Sequence, residues 1–144
     1  MGKKILVTGG AGYIGSHAVV ELAEAGYEPV IIDNFVNSRK DVLEGLNKIV
    51  GREVKCHEVD CCDLNGLRRV FDDEGDVDGV MHFAAYKAVG GSVAKPLDYY
   101  YNNVLSLINL IKLMKEFNIM SFVFSSSCTV YGAPDEIPVK EDSL

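Results

Sequence analysis

Eight residues near the start of the chain, Thr8-Gly9-Gly10-Ala11-Gly12-Tyr13-Ile14-Gly15, form a pattern suited to holding a pyrophosphate. They read as G-x-G-x-x-G on Gly10, Gly12 and Gly15, or as G-x-x-G-x-x-G on Gly9, Gly12 and Gly15. In either register an apolar run enters the turn and helical spacing leaves it. A side chain in such a turn would keep a pyrophosphate off the backbone, and the helix N-terminus offers N–H groups and positive dipole to the anion. Gly15 lets the helix pack close to the sheet. Glycines also make plain turns, so the strand–turn–helix context is what makes this a dinucleotide-binding candidate. Asp33 follows Gly15 by 18 residues and closes an apolar run. An acid at that place accepts hydrogen bonds from an adenosine ribose. It also repels a 2′-phosphate, which favours NAD over NADP. The competing reading of Asp33 is a solvated turn aspartate before Asn34.

Other polar residues carry weaker signals. Asp60 closes a third apolar stretch and could meet an adenine amino group or be a simple strand-end acid. Ser125-Ser126-Ser127-Cys128-Thr129-Val130-Tyr131-Gly132 follows another short apolar run. Ligands of open α/β sheets sit at the carboxyl ends of strands, so these hydroxyls could bond a substrate alcohol or be polar turn residues. His17 reads as a surface or packing residue, and His82 as a satisfied core histidine. Tyr99-Tyr100-Tyr101 reads as packing, and the acids between Asp72 and Asp78 as a solvated helix end. Cys56, Cys61, Cys62 and Cys128 form no C-x-x-C pair, and the three histidines show no metal-ligand spacing, so no metal is expected.

The elements that must place these residues follow from hydrophobic periodicity. Apolar runs at Lys3 to Val7, Pro29 to Asp33, Val54 to Val59, Val80 to Ala84 and Phe122 to Phe124 read as strands. Helices are expected from Ile14 to Ala25 with Gly26 as C-cap, Lys40 to Val50 stopped by Gly51, Leu64 to Phe71, and Pro96 to about Asn118. The last helix carries Val104, Leu107, Ile108, Ile111 and Met114 as its apolar face. Gly90 to Ala94 and the tail from Pro134 read as loop. Strands alternating with helices predict a doubly wound parallel α/β sheet, a Rossmann fold with strand order 3-2-1-4-5.

Composition sets the outer bounds. The chain has 144 residues, 48% hydrophobic and 24% charged, with a net charge of −7. That is one globular domain, able to bury roughly two-thirds of its unfolded surface. An acidic chain does not bind nucleic acid or an anionic membrane through bulk charge. There is no run of 18 apolar residues for a membrane span, and the start is too short in apolar residues for a signal peptide. Reduced thiols and a cytoplasmic location are expected.

Taken together, these motifs resemble the extended short-chain dehydrogenase/reductase family, and within it the group of UDP-glucose 4-epimerases (UDP-galactose 4-epimerases). The carriers are Thr8 to His17, Ile32-Asp33-Asn34, Asn37-Ser38, His82 to Gly90, Lys95 to Tyr100, Asn102-Asn103-Val104 and Phe124 to Gly132. The resemblance spans nearly the whole chain. It implies NAD as cofactor, UDP-glucose and UDP-galactose as substrates, and a homodimeric parent enzyme. By position it implies Gly9, Gly12, Tyr13 and Ile14 at the pyrophosphate, with Gly15 completing the motif. Asp33, Asn34, Asn37 and Ser38 would hold the adenosine ribose and its surroundings, and Asp60 and Cys61 would flank adenine. Phe83, Ala84, Ala85 and Lys87 would line the cofactor, with Lys87 donating to its ribose or phosphate. Asn102 and Ser125 would lie near the nicotinamide half, and Ser127 would bond the sugar 4-hydroxyl and relay its proton.

Departures from the family pattern are Ala85 for a common glycine and Cys128 for a common alanine. The larger one is that no tyrosine in the chain is followed by lysine four positions on. The family's Tyr-x-x-x-Lys pair, sixth strand and sugar-nucleotide domain are therefore expected beyond Leu144, and residues 1–144 read as an incomplete NAD-binding domain that is inactive alone. A related nucleotide-sugar dehydratase or decarboxylase, or a non-catalytic NAD-binding domain, are the alternatives.

Overall fold

The computed structural model describes residues 2–133 and 137–140. Five strands alternate with helices: β1 (Lys4–Thr8), α1 (Tyr13–Glu24), β2 (Glu28–Asp33), α2 (Asp41–Val50), β3 (Cys56–Glu58), α3 (Leu64–Glu74) and β4 (Gly79–His82). A short helix α4 (Val89–Ala94), a long helix α5 (Pro96–Glu116) and β5 (Ser121–Phe124) follow, with a 3₁₀ turn at Cys128–Tyr131. All neighbours pair in parallel, and the strand order is β3-β2-β1-β4-β5, as expected. Among the described residues, no helix is long and apolar enough to cross a membrane.

Period-two alternation in the central strands builds two cores. Leu6, Val30, Ile32 and Val80 face Leu67, Phe71, Leu110 and Leu113. Val7 and Ile31 face the other way, onto Val19, Leu46 and Val54. Because both faces are covered, β1 and β2 are continuous apolar runs rather than alternating ones. The chain leaves β1 toward β2 and β3, then crosses back to β4 and β5. The carboxyl ends of β1 and β4 therefore flank the point where winding reverses, where such sheets bind ligands.

Helix ends match their local chemistry. Gly26 adopts φ +84 one residue beyond the α1 C-cap, Ala25, and the Tyr27 N–H returns to the Leu22 carbonyl at 2.9 Å. Pro96 opens α5, and left-handed Asn118 follows its C-cap, Phe117.

Several expectations are corrected. The third strand is only Cys56–Glu58, and β4 stops at His82 rather than Ala84. Val89–Ala94 is a helix, not a loop: the Ala88 and Gly91 carbonyls accept the Ser92 and Lys95 N–H groups, so local bonds outweigh the two glycines. The apolar face read for α5 is largely the wrong one. Its buried residues are Ser106, Asn109, Leu110, Leu113 and Met114, whereas Val104, Ile108 and Ile111 are exposed. Asn109 can face inward because its Nδ2 donates to the Cys61 and Cys62 carbonyls at 3.0 and 3.1 Å. Tyr99 does pack, but Tyr100 and Tyr101 are exposed.

The acidic run also departs from a solvated helix end. α3 extends to Glu74, which is only 5% exposed. Its carboxylate meets Lys55 Nζ at 2.7 Å, Lys4 Nζ at 3.1 Å and His57 Nε2 at 2.5 Å. Burial alone would raise its pKa, but hydrogen bonds from Lys55, His57 and Lys4 outweigh that and hold it down at about 2. The expected tail loop falls partly on Pro134–Glu136 and residues 141–144, which lie outside the described residues.

Candidate functional site

The glycine turn is shaped by close approaches. A Cβ on Gly15 would stand 2.2 Å from the Gly9 carbonyl oxygen, so helix and turn could not pack as they do. Gly9 itself sits at φ +67, and a Cβ there would lie 2.7 Å from the Ala84 backbone nitrogen. That closeness brings the exit of β4 against the glycine turn. Gly12 is the α1 N-cap, no side chain caps the helix, and no acid occupies its first turn. The dipole and first N–H groups of α1 are therefore left for an anion, and the glycine cradle is room that side chains would fill. Both features fit a dinucleotide's pyrophosphate.

Asp33 is neither solvated nor a plain turn residue. It is 8% exposed. Its Oδ2 accepts the Ala11 N–H at 3.0 Å, and its Oδ1 accepts the Phe35 N–H and the Ser38 hydroxyl, both at 2.9 Å. Phe35, whose N–H the carboxylate holds, takes a left-handed φ of +56. With two lone-pair positions on each oxygen, Oδ2 keeps one acceptor position for a ligand hydroxyl. Asn34 Nδ2 donates to Asp60 Oδ2 at 3.0 Å, and Asp60 Oδ1 accepts the Cys62 N–H at 2.7 Å, which joins the carboxyl ends of β2 and β3.

One groove crosses these ends. Gly9, Gly12, Asp33, Asn34, Asn37 and Ser38 line one part of it, and Asp60, Cys61, Phe83, Ala84, Ala85 and Asn102 line the rest. Of the other residues expected there, Gly15 is buried beneath the turn, and Tyr13 and Ile14 stand exposed on α1 beside it. Lys87 is exposed and lies off the lining. Ser125 and Ser127 also lie off it, at the carboxyl end of β5. Ser125 N–H donates to the His82 carbonyl at 3.2 Å, and the Ser127 hydroxyl pairs with Thr129 Oγ1 at 2.8 Å.

Tyr86, Ser106, Ile32 and Val59 also line the groove and were not anticipated. Ser106 had a signal: a small polar residue on the same helical face as Asn103 and Leu110. His82 is a satisfied core histidine, bonded through Nδ1 to Thr8 Oγ1 at 2.6 Å, and burial pushes its pKa down to about 4. Burial likewise pushes the Cys61 thiol up to about 12 and Cys62 to about 11, so neither is a ready nucleophile, and Cys61 serves as a wall of the groove. His17 caps nothing in the groove; its Nδ1 bonds the Tyr13 carbonyl oxygen. Among the described residues, no cluster of metal-ligating side chains occurs.

Known proteins place this arrangement. The chain is 48% identical over 139 residues to the UDP-glucose 4-epimerase of Dictyostelium discoideum, covering 96% of this chain and 40% of that protein. It is 52% identical over 138 residues to the enzyme of the same name from Haemophilus influenzae, again covering 96% and 40%. Among solved structures, UDP-glucose 4-epimerase from Bifidobacterium longum in complex with NAD+ and UDP matches with a TM-score of 0.91 at 46% identity. That match covers 99% of this chain and 42% of the other. The epimerase from Stenotrophomonas maltophila, with bound NAD and formylated UDP-arabinopyranose, matches at 0.90 and 42% identity, covering 97% and 41%. The chain thus spans about 40% of the length of these relatives. The family model for the NAD dependent epimerase/dehydratase family matches residues 5–144, and the chain belongs to that family.

Proposed function

We propose that this chain is the NAD-binding part of a UDP-glucose 4-epimerase, which interconverts UDP-glucose and UDP-galactose through a 4-keto sugar. The observation that carries the reading is Asp33: buried beside the glycine turn, it keeps one acceptor position and stands where a 2′-phosphate would be repelled. In this reading Gly9, Gly12, Tyr13 and Ile14 surround the pyrophosphate, and Asp33, Asn34, Asn37 and Ser38 hold the adenosine ribose. Asp60 and Cys61 flank adenine. Phe83, Ala84, Ala85 and Lys87 line the cofactor, with Asn102 and Ser125 toward its nicotinamide. When bound, NAD supplies a hydride acceptor that gives the hydride back. Ser127 bonds the sugar 4-hydroxyl and relays its proton. A serine hydroxyl is a poor base without a partner to take its proton, and the Thr129 hydroxyl beside it is no stronger. The base is therefore assigned to another part of the parent enzyme.

Calorimetric titration with NAD+ and NADP+ tests the cofactor assignment. NAD+ is expected to bind more tightly; tighter NADP+ binding would overturn it.

A homodimeric parent belongs to the same proposal. Its support is the outer face of α5, where Leu97, Tyr100, Tyr101, Val104 and Ile108 form an exposed apolar groove. A cytoplasmic location is proposed from the free thiols Cys56, Cys61 and Cys62.

A further inference from the structure

Lys87 is exposed and makes no hydrogen bond or ion pair among the described residues, yet its backbone is gripped on both sides. The Tyr86 N–H donates to Asn103 Oδ1 at 2.8 Å, and Asn103 Nδ2 donates to the Tyr86 carbonyl at 2.8 Å. One residue past Lys87, the Ala88 carbonyl accepts the Tyr99 hydroxyl at 2.9 Å. Tyr99 and Asn103 are four residues apart on α5, so they stack one turn above the other on a single face. The Tyr86 ring also meets the Tyr99 ring edge-on, with centroids 5.5 Å apart. Gly91 leaves the space that the Tyr99 hydroxyl crosses: a Cβ there would stand 2.3 Å from it.

The grip connects to the groove at its other end. Asn102, a lining residue, donates through Nδ2 to Asn103 Oδ1 at 2.9 Å, and the Ser106 hydroxyl donates to the Asn103 carbonyl at 3.3 Å. The amide of Asn103 is therefore held in one orientation while it fixes Tyr86, itself a lining residue.

We propose that Tyr99 and Asn103 are positioning residues that present the Lys87 ammonium to the ribose or phosphate on the nicotinamide side of a dinucleotide in the groove. The proposal rests on the NAD reading above. A lysine is a point charge on a flexible four-carbon stem, and a fixed backbone at both neighbours limits where that charge can go. Neither Tyr99 nor Asn103 lines the groove, so these bonds act on a ligand there only through Tyr86 or Lys87, and the Lys87→Ala background separates the two routes.

The test is a double-mutant cycle in the full chain, read by titration of NAD+ and, separately, AMP. Tyr99→Phe removes only a hydroxyl, and Asn103→Ala removes both bonds to Tyr86; each is combined with Lys87→Ala. Tyr99→Phe and Asn103→Ala are each expected to weaken NAD+ binding by about 3- to 10-fold, the loss of an ordinary hydrogen bond's worth of positioning. In the Lys87→Ala background the same substitutions are expected to change it less than 2-fold, roughly the limit of additivity for uncoupled sites. AMP, which lacks the distal half of the dinucleotide, is expected to bind equally well throughout. Should Asn103→Ala fail to fold, the Tyr99→Phe cycle carries the test. Losses that persist at full size without Lys87, or that fall equally on AMP, would overturn the proposal and show a purely structural clip. Unchanged NAD+ binding in the single variants would overturn it too. A parent chain that binds no NAD+ at all would overturn the cofactor reading and this inference with it.

Discussion

At Asp33 a single carboxylate joins the glycine turn, the loop after β2 and the bound ligand we propose. Its bonds to Ala11, Phe35 and Ser38 mean that removing it affects both folding and binding. Asp33→Ala is expected to weaken NAD+ binding by about 1–3 kcal/mol, the range for a charge-assisted acceptor. It is also expected to destabilise the fold by about 1 kcal/mol through the orphaned Ala11 and Phe35 N–H groups. Titration and denaturant unfolding of the variant separate the two effects, and wild-type affinity for NAD+ would remove the ribose assignment. The position of Asp33 was legible because it closes a run of buried apolar residues. Its bond to Ala11 was not, since 22 residues of chain separate the partners and only the packed turn brings them together. Nor was Asn103's grip on Tyr86, which depends on how α5 is rotated against the exit of β4.

Among the elements, α3 and α5 separate what sequence pattern can reveal from what packing decides. The central strands were legible because burial on both faces leaves continuous apolar runs such as Leu6-Val7 and Val30-Ile31-Ile32. For α5 the pattern misled, because the 21-residue helix carries apolar residues on two nearly opposite faces and places Ser106 and Asn109 inward. Glu74 misled for another reason: its partners Lys4, Lys55 and His57 come from β1, from the residue before β3 and from β3, outside its own helix. That cluster has a definite pH dependence. Its folded pKa, about 2, lies below the ordinary 4.5, so its contribution is complete above about pH 4.5 and is lost as pH falls toward about 2. Glu74→Gln is expected to lose roughly 2–3 kcal/mol at neutral pH, the linkage value of such a shift. The gap from wild type should shrink steadily below about pH 4.5. Urea unfolding of both proteins at neutral pH and near pH 3 measures this. A gap of equal size at both values would show that Glu74 acts by packing and not by charge.

Taken whole, the molecule presents two apolar surfaces that no described element covers. One is the edge strand β5, where Val123 and Phe124 are about half exposed. The other is the outer face of α5. Edge strands of this kind pair readily with other chains. The 144-residue chain by itself is therefore expected to self-associate, and to show no conversion of UDP-galactose to UDP-glucose. Light scattering of the isolated chain, with Val123→Lys and Tyr101→Glu compared, assigns the contact to the strand or to the helix. A monodisperse monomer would count against both surfaces, and measurable epimerisation would show that the base lies within residues 1–144. The strand order was legible at this scale because right-handed crossovers admit few arrangements of such a chain. The uncovered face of α5 was not, for the reason its rotation was misread.

The placement of β1 between β2 and β4 reaches back to the moment of synthesis. Its first neighbour is complete at Asp33, but its second ends only at His82. At about 5–20 residues per second on the ribosome, the roughly 50 residues between them leave one edge of β1 open for about 2–10 seconds. Leu6 and Val7, wholly buried in the finished sheet, stand at that edge throughout. Translation speed across codons 34 to 82 thus sets how long a nascent chain offers its innermost strand to a chaperone or to a neighbouring polysome product.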